Sequence, residues 1–89
     1  MGRRVHGRSM LLSEVPIGAV ATVEDLRVQG LLRRRLLDLG FTRGAKVEVV
    51  RRSPFGDPRA YRIRGTTIAL RNADAATIAV VVGGDDGWE

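Results

Sequence analysis

The 89-residue chain contains no cysteine. Without thiols it can form neither a disulfide nor a thiolate site for zinc or an iron–sulfur cluster, so we expect its stability to come from apolar packing. Its single histidine, His6, lies in an arginine-rich leading segment, which argues against a histidine general base or a pair of histidine metal ligands. The sequence therefore predicts no metal site and no cofactor.

Long apolar runs are missing as well. The runs that are present fall well below the ~20 residues that a membrane-spanning helix needs, and the basic start of the chain is not followed by the apolar segment of a secretion signal. We therefore expect a cytoplasmic protein. The few aromatic residues, Phe41, Phe55, Tyr61 and Trp88, do not form an interleaved row on which bases could stack, so a nucleic acid partner is not expected.

Catalytic motifs are the third absence. No serine has a partnered base that could activate it as a nucleophile. The turn from Gly40 to Gly44 lacks the lysine and hydroxyl residue that end a phosphate-binding loop. The neighbouring carboxylates Glu24 and Asp25 are more typical of a solvated strand end than of a cation site. The sequence predicts that the protein is not an enzyme.

The net charge of +5 comes almost entirely from arginine, because Lys46 is the only lysine. A basic balance of this kind suits nucleic acid, an acidic protein surface or simple solubility. Solubility is the commonest of the three reasons. The charge therefore constrains association and not the fold.

Composition divides the chain into three parts. Residues 1–9 form a predicted flexible basic arm, residues 10–82 a single folded domain, and residues 83–89 a predicted flexible acidic tail. Within the domain, apolar alternation and turn residues predict five short strands, at about 19–26, 46–52, 61–64, 67–70 and 77–82. A turn at Gly65-Thr66 is expected to join the third strand to the fourth. Short strands at close spacing predict a mainly β fold, a small closed or nearly closed barrel that leaves few exposed edges.

One helix and one helical turn interrupt these strands. Leu32, Leu36 and Leu39 repeat at helical spacing and predict a helix over about 31–39 with one apolar stripe. Gly40 is expected to end it in a left-handed conformation, with Phe41 folding back onto the leucines. A single helical turn is predicted over about 72–76.

Four residues are candidates for binding a partner protein: Arg35, Phe55, Tyr61 and Arg71. Arg35 belongs to a run of three arginines and lies at the border of the leucine stripe, so its stem can pack while its guanidinium reaches a carboxylate or phosphate. Phe55 lies among turn residues, where it either covers a partner's surface or plugs the end of the barrel. Arg71 either binds a partner or pairs locally with Asp74 or Asp57, and the local pairing is slightly favoured.

Four groups of residues in combination resemble the FeoA family, from about residue 12 to residue 80. They are Leu12-Ser13-Glu14 with Pro16-Ile17-Gly18, Arg35-Leu36 with Leu39-Gly40 and Gly44, Pro54 with Gly56-Asp57-Pro58, and Ala69-Leu70-Arg71 with Ala75 and Ile78-Ala79-Val80. The resemblance implies an SH3-like barrel. It also implies a non-enzymatic accessory role in bacterial ferrous-iron uptake, in which the protein binds the cytosolic GTPase part of the membrane transporter FeoB and reaches the membrane only through that partner.

The resemblance leaves a second function open. The same type of domain is found behind the DNA-binding part of iron-dependent repressors, which would make this chain a regulatory or nucleic-acid-associated module. No helix-turn-helix precedes the barrel in the sequence, so the transport role is preferred.

We predict that the purified protein binds neither ferrous iron nor nucleotide. The reason is the lack of cysteine, of a second histidine and of a phosphate-binding loop. Calorimetric titration with each ligand tests this expectation. Stoichiometric iron binding tighter than about ten micromolar, which corresponds to roughly −7 kcal/mol, would contradict it.

Overall fold

The computed structural model describes residues 7–83. Six antiparallel strands form one sheet in the order β1-β6-β2-β3-β4-β5. The elements follow the chain as β1 (Gly7–Leu11), a 3-10 turn (Leu12–Glu14), β2 (Val20–Leu26), α1 (Gly30–Leu39), β3 (Lys46–Arg52), β4 (Arg59–Ile63), β5 (Thr66–Leu70), α2 (Asn72–Ala75) and β6 (Ile78–Gly83). Neither helix within this range is long and apolar enough to cross a membrane.

The mainly β fold with two short helices confirms the predicted class, but there are six strands and not five. The additional strand is β1, which takes up residues 7–9 of the predicted arm. It pairs with β6 in unbroken register from Gly7–Gly83 to Leu11–Ala79. The prediction of a flexible arm was based on composition, and it was wrong for residues 7–9. Hydrogen bonds between paired strands use only backbone groups, so a segment rich in arginine and glycine can also form them. Residues 1–6 of the predicted arm and 84–89 of the predicted tail lie outside the described residues.

The core lies inside the curved sheet and is made by alternate residues of its strands. Val47 and Val49 of β3 and Tyr61 and Ile63 of β4 are all buried, as period-two alternation requires. The remaining core residues come from β2, β5, β6, both helices, the 3-10 turn and the residues next to them: Leu12, Val15, Ala21, Val23, Leu26, Leu36, Phe41, Leu70, Ala75, Ile78 and Val80.

A β-bulge shifts the alternation of β2 near its end. The register of β2 against β6 shifts between Val23 and Asp25. Because the bulge adds one residue, Leu26 turns inward and is buried, while Glu24 and Asp25 are both exposed. The two carboxylates therefore form a solvated strand end, as the sequence indicated.

Helix α1 packs on the core through the predicted leucine stripe. Leu36 is fully buried, and Leu32 and Leu39 are partly buried against the core. Gly40 ends the helix with φ 111°, and its N–H donates to the carbonyls of Leu36 and Leu37. Phe41 then enters the core, and its N–H donates to the Leu36 carbonyl at 3.0 Å. Only glycine adopts this conformation without strain, so the cap fixes the end of the helix.

The hairpin between β4 and β5 turns one residue earlier than predicted. Ile63 pairs with Thr66, so the turn is Arg64-Gly65, with φ 53° and 78°. Arginine seldom takes a positive φ, and here its side chain is held by long-range bonds. Arg64 Nε donates to the Gly40 carbonyl at 3.4 Å, and its NH2 group donates to Thr42 Oγ1 at 3.0 Å. A Cβ at Gly40 would lie 2.8 Å from Arg64 Cδ, so the lack of a side chain at Gly40 makes room for this contact.

We predict that Leu36→Ala strongly destabilises the domain, whereas Leu31→Ala does not. Leu36 is fully buried and Leu31, on the same helix, is 88% exposed. Truncating a buried leucine costs about 2 to 5 kcal/mol, which includes the cavity left behind. Thermal and denaturant unfolding of both variants measure the difference. Equal midpoints would show that α1 does not pack on the core through this residue.

Candidate protein-binding groove

Two of the predicted partner-binding residues, Arg35 and Arg71, lie on opposite sides of one groove. The groove runs between α1 and the end of β5, and its volume is about 570 Å³. Leu36 and Leu70, both buried, lie at its base. The remaining lining residues are Leu32, Pro58, Ala69, Ala73 and Asp74. The fold thus brings together residues that are far apart in the chain.

Both arginines of the groove are exposed. Neither guanidinium donates a hydrogen bond or forms an ion pair with any side chain that the structure describes; the one ion pair found there joins Arg62 to Glu48 at 3.2 Å. The predicted local pairing of Arg71 with Asp74 or Asp57 is therefore wrong. Each of the two guanidinium groups can therefore bind a carboxylate or phosphate of another molecule.

The first arginine of the predicted run has a structural role. Arg33 donates from NH1 to the Leu26 carbonyl at 2.8 Å, which ties α1 to the end of β2. Arg34 and Arg35 are exposed. The run is therefore not a single basic surface, since only its second and third members face solvent.

Phe55 lies at the tip of the loop 53–58, and its side chain is 93% exposed. It does not plug the barrel. Two backbone hydrogen bonds close the loop, from Ser53 N to the Pro58 carbonyl at 3.1 Å and from Gly56 N to the Ser53 carbonyl at 2.9 Å. An apolar ring is thus held in solvent by an ordered turn.

Asn72 ties this loop to helix α2. The Asn72 backbone N–H donates to Asp57 Oδ1 at 2.8 Å, and Asn72 Nδ2 donates to the Gly56 carbonyl at 3.1 Å. Asp57 thereby caps the first turn of α2 from another part of the chain, where a carboxylate also suits the helix dipole. These bonds position Pro58 as part of the groove wall.

Tyr61 does not belong to the surface, which corrects the prediction that it contacts a partner. Its side chain is fully buried in the core, because it alternates with Ile63 on the inner face of β4. Burial raises the pKa of the Tyr61 hydroxyl above its usual value, although the positive charge of Arg59 opposes this shift. The Arg59 guanidinium carbon lies 5.5 Å from the centre of the tyrosine ring.

Arg59 is the residue that sequence reasoning missed. Its NH1 donates to the Ser13 carbonyl at 3.2 Å, and its NH2 donates to the carbonyls of Leu12 at 3.5 Å and Val15 at 2.6 Å. It therefore holds the 3-10 turn against β4. Nothing in the sequence separates Arg59 from the neighbouring arginines of the same sheet, because its partners are backbone carbonyls more than forty residues away.

The side chains around the groove are cationic, aliphatic and, at the neighbouring loop tip, aromatic. Among residues 7–83, no group of three or more histidine, cysteine, aspartate or glutamate side chains is placed to hold a metal ion. Arg35 and Arg71 line the groove, and the loop that carries the exposed Phe55 contributes Pro58 to its wall. The fold is that of a small, mainly β, SH3-like barrel domain.

Comparison with known proteins gives the family. The FeoA domain matches residues 10–82, and the chain belongs to the FeoA family. A Fe(2+) transport protein A/Fe(2+) transporter FeoB fusion protein of Porphyromonas gingivalis is 39% identical over 71 residues, which is 80% of this chain. The chain spans only 8% of the length of that curated relative.

Two solved structures agree with this assignment. The solution structure of a FeoA protein from Chlorobium tepidum is 39% identical, with 90% of this chain and 81% of that one covered and a TM-score of 0.79. The crystal structure of Stenotrophomonas maltophilia FeoA in complex with zinc is 35% identical, with 80% and 88% covered and a TM-score of 0.72. That protein is described as a prokaryotic SH3 domain protein, which agrees with the predicted SH3-like fold.

A manganese-dependent transcriptional repressor shares the fold but not the sequence. The match covers 86% of this chain and 43% of the repressor, with 20% identity and a TM-score of 0.76. At this identity the likeness concerns the fold alone.

We predict that Asp57→Ala destabilises the domain by about 0.5 to 2 kcal/mol, because a capping carboxylate is lost from the first turn of α2. For a domain of this size, 1 kcal/mol lowers the melting temperature by roughly 4 to 8 °C. The matched control is Asp38→Ala, which removes an exposed aspartate from α1. Identical melting curves for the two variants would show that the bond from Asn72 contributes nothing.

Proposed function

We propose that this protein is a non-enzymatic accessory protein of bacterial ferrous-iron uptake that binds the cytosolic GTPase part of a FeoB-like transporter. The Porphyromonas gingivalis relative supports this role, since it carries both transport protein A and FeoB in one polypeptide. Covalent fusion gives two domains a high effective concentration for each other, which serves domains that interact. The Stenotrophomonas maltophilia relative is described as a candidate ferrous-iron transport activating factor, which agrees with the same role.

The docking surface consists of the groove and Phe55, which we call the groove face. The observation that carries this proposal is the 93% exposure of Phe55 on a loop that two backbone bonds close and two Asn72 bonds fasten to α2. An aromatic ring on an ordered loop loses little conformational entropy when a partner covers it. Pro58 of the same loop lines the groove beside Arg35 and Arg71, so one partner can contact the ring and both arginines.

The protein acts in the cytoplasm under this proposal and is peripheral to the membrane through its partner. Arginines at the rim of an interface mainly raise the association rate and set its salt dependence, whereas a buried aromatic ring supplies affinity. The repressor-related alternative has only fold likeness behind it, and a shared fold does not transfer a function.

We predict that Phe55→Ala and Arg35→Glu weaken binding to the cytosolic domain of FeoB and leave the melting curve nearly unchanged. Loss of an aromatic anchor costs about 2 kcal/mol or more, which is roughly a thirty-fold loss of affinity. Arg35→Glu should have a smaller effect that shrinks as salt rises, because salt screens exposed charges. Calorimetry at two salt concentrations, with and without GTP, measures both effects.

The matched controls lie away from the groove face. Val20→Ala truncates a half-exposed apolar residue of β2, and Arg43→Glu reverses an exposed charge in the turn before β3. Both should bind as the unmodified protein does. If all four variants bind equally well, the groove face is not the docking surface.

A further inference from the structure

Strand β5 forms one edge of the six-stranded sheet. The two-residue turn makes Ile63 and Thr66 a pair, and in such a hairpin this pair exchanges both of its backbone hydrogen bonds. Alternation then directs the N–H and C=O groups of Thr67 and Ala69 away from β4. No strand pairs with β5 on that side in the described sheet.

The β5 edge lacks the features that usually protect an edge strand. Its five residues include no charge and no proline, and its pairing with β4 shows no bulge. Natural edge strands are commonly blocked by such features, because an open edge recruits another strand. The opposite edge, β1, carries Arg8. The unblocked edge is therefore the one that adjoins the groove.

The groove provides the side-chain pockets that strand addition requires. Ala69 and Leu70 of β5 form one wall, and Leu32 and Leu36 of α1 lie across from them. A strand laid along β5 would direct every second side chain into this space. Arg35 and Arg71 line the same space, so acidic side chains suit those positions.

Charge defines the chemistry of the segment that fits. The groove has two guanidiniums, Arg35 and Arg71, that form no ion pair within residues 7–83, and one carboxylate, Asp74. An acidic segment would complement this imbalance, since guanidinium and carboxylate form paired, directional hydrogen bonds.

A second copy of this chain fits less well. Antiparallel pairing of two β5 edges would centre on Ile68, because Thr67 of one copy would bond Ala69 of the other. Residue 71 of one copy would then face residue 65 of the other, which brings Arg71 close to the second copy's Arg64. Like charges at such positions disfavour the pairing.

From these observations we infer that the protein receives an extended acidic segment of its partner as a seventh strand beside β5, with carboxylates on Arg35 and Arg71. This inference deepens the proposed function and rests on it only for the identity of the partner. Main-chain bonds to Thr67 and Ala69 supply affinity in this mode, and the arginines select acidic segments.

The first experiment uses a defined probe, a capped peptide of about eight residues in which valine and glutamate alternate, long enough to span β5. Amide hydrogen exchange of the ¹⁵N-labelled protein is followed by NMR with and without the probe. Exchange at Thr67 and Ala69 should slow by roughly ten-fold or more at saturation, because their N–H groups become paired. A matched peptide with lysine in place of glutamate should give no protection.

Two variants separate the main-chain contact from the charge. Ala69→Pro removes an N–H that β4 does not use, and it should abolish binding of the probe while the domain stays folded. Arg71→Glu should weaken binding by roughly ten-fold at low salt, and Arg43→Glu should leave it unchanged. If the probe protects neither amide, or if Ala69→Pro binds it normally in a folded domain, strand addition is wrong. Equal affinity for the lysine peptide would overturn the acidic specificity.

The second experiment repeats the exchange measurement with the cytosolic domain of FeoB. Binding of that domain without protection of Thr67 and Ala69 would overturn the strand mode and leave the proposed function intact. Protection by the acidic probe without any binding of the FeoB domain would support the strand mode and overturn the proposed partner. Concentration-dependent protection without any probe would show that a second copy occupies the edge, which would also contradict the inference.

Discussion

The burial of Leu36 determines the position of most of the groove face. This side chain has no exposed surface, and Leu32 and Leu39 pack beside it, so the leucine stripe orients the helix on the core. Arg35 is the preceding residue and therefore lies at the rim of the groove, while Leu32 lies one turn earlier along the same side. The cap at Gly40 then directs Phe41 into the core and leaves room for Arg64. Helix position, groove and the β4–β5 turn thus depend on one packed contact.

The opposite wall depends on polar bonds between a loop and a short helix. A four-residue helix such as α2 is not stable by itself. Asp57 accepts a hydrogen bond from the first turn of α2, and Asn72 returns one to the loop. Each element orders the other. The buried atoms without a partner among the described residues, Ser53 Oγ, Arg59 Nε, Tyr61 Oη and Asn72 Oδ1, all belong to this loop, to β4 or to the start of α2.

A domain of this kind serves its function by shape and charge. Arginine stems can pack on apolar surface while their guanidinium groups stay available to carboxylates. Under the proposed function, the net charge of +5 would steer an acidic partner toward the protein at long range, and the groove face would then fix the contact. In this view the excess of arginine, for which the sequence alone favours simple solubility, has a specific use at two positions.

The local sequence determined those elements that depend only on neighbouring residues. The leucine repeat and Gly40 fixed α1 and its end, and alternation fixed β3 with Val47 and Val49 inside, because period and cap chemistry act within a few residues. Only the tertiary structure decided three other features: the strand β1, the Arg64-Gly65 turn and the role of Arg59. In each case the partner is backbone or side chain from a distant part of the chain: β6 for β1, Gly40 for Arg64, and the 3-10 turn for Arg59.

The candidate site likewise depends in part on residues that are distant in the chain. The burial of Tyr61 has a local cause, since Tyr61 alternates with Ile63 on β4. The sequence named Arg35, Arg71 and Phe55, but it could not bring the two arginines to one groove, because the packing of α1 against the end of β5 joins residues that are far apart in the chain.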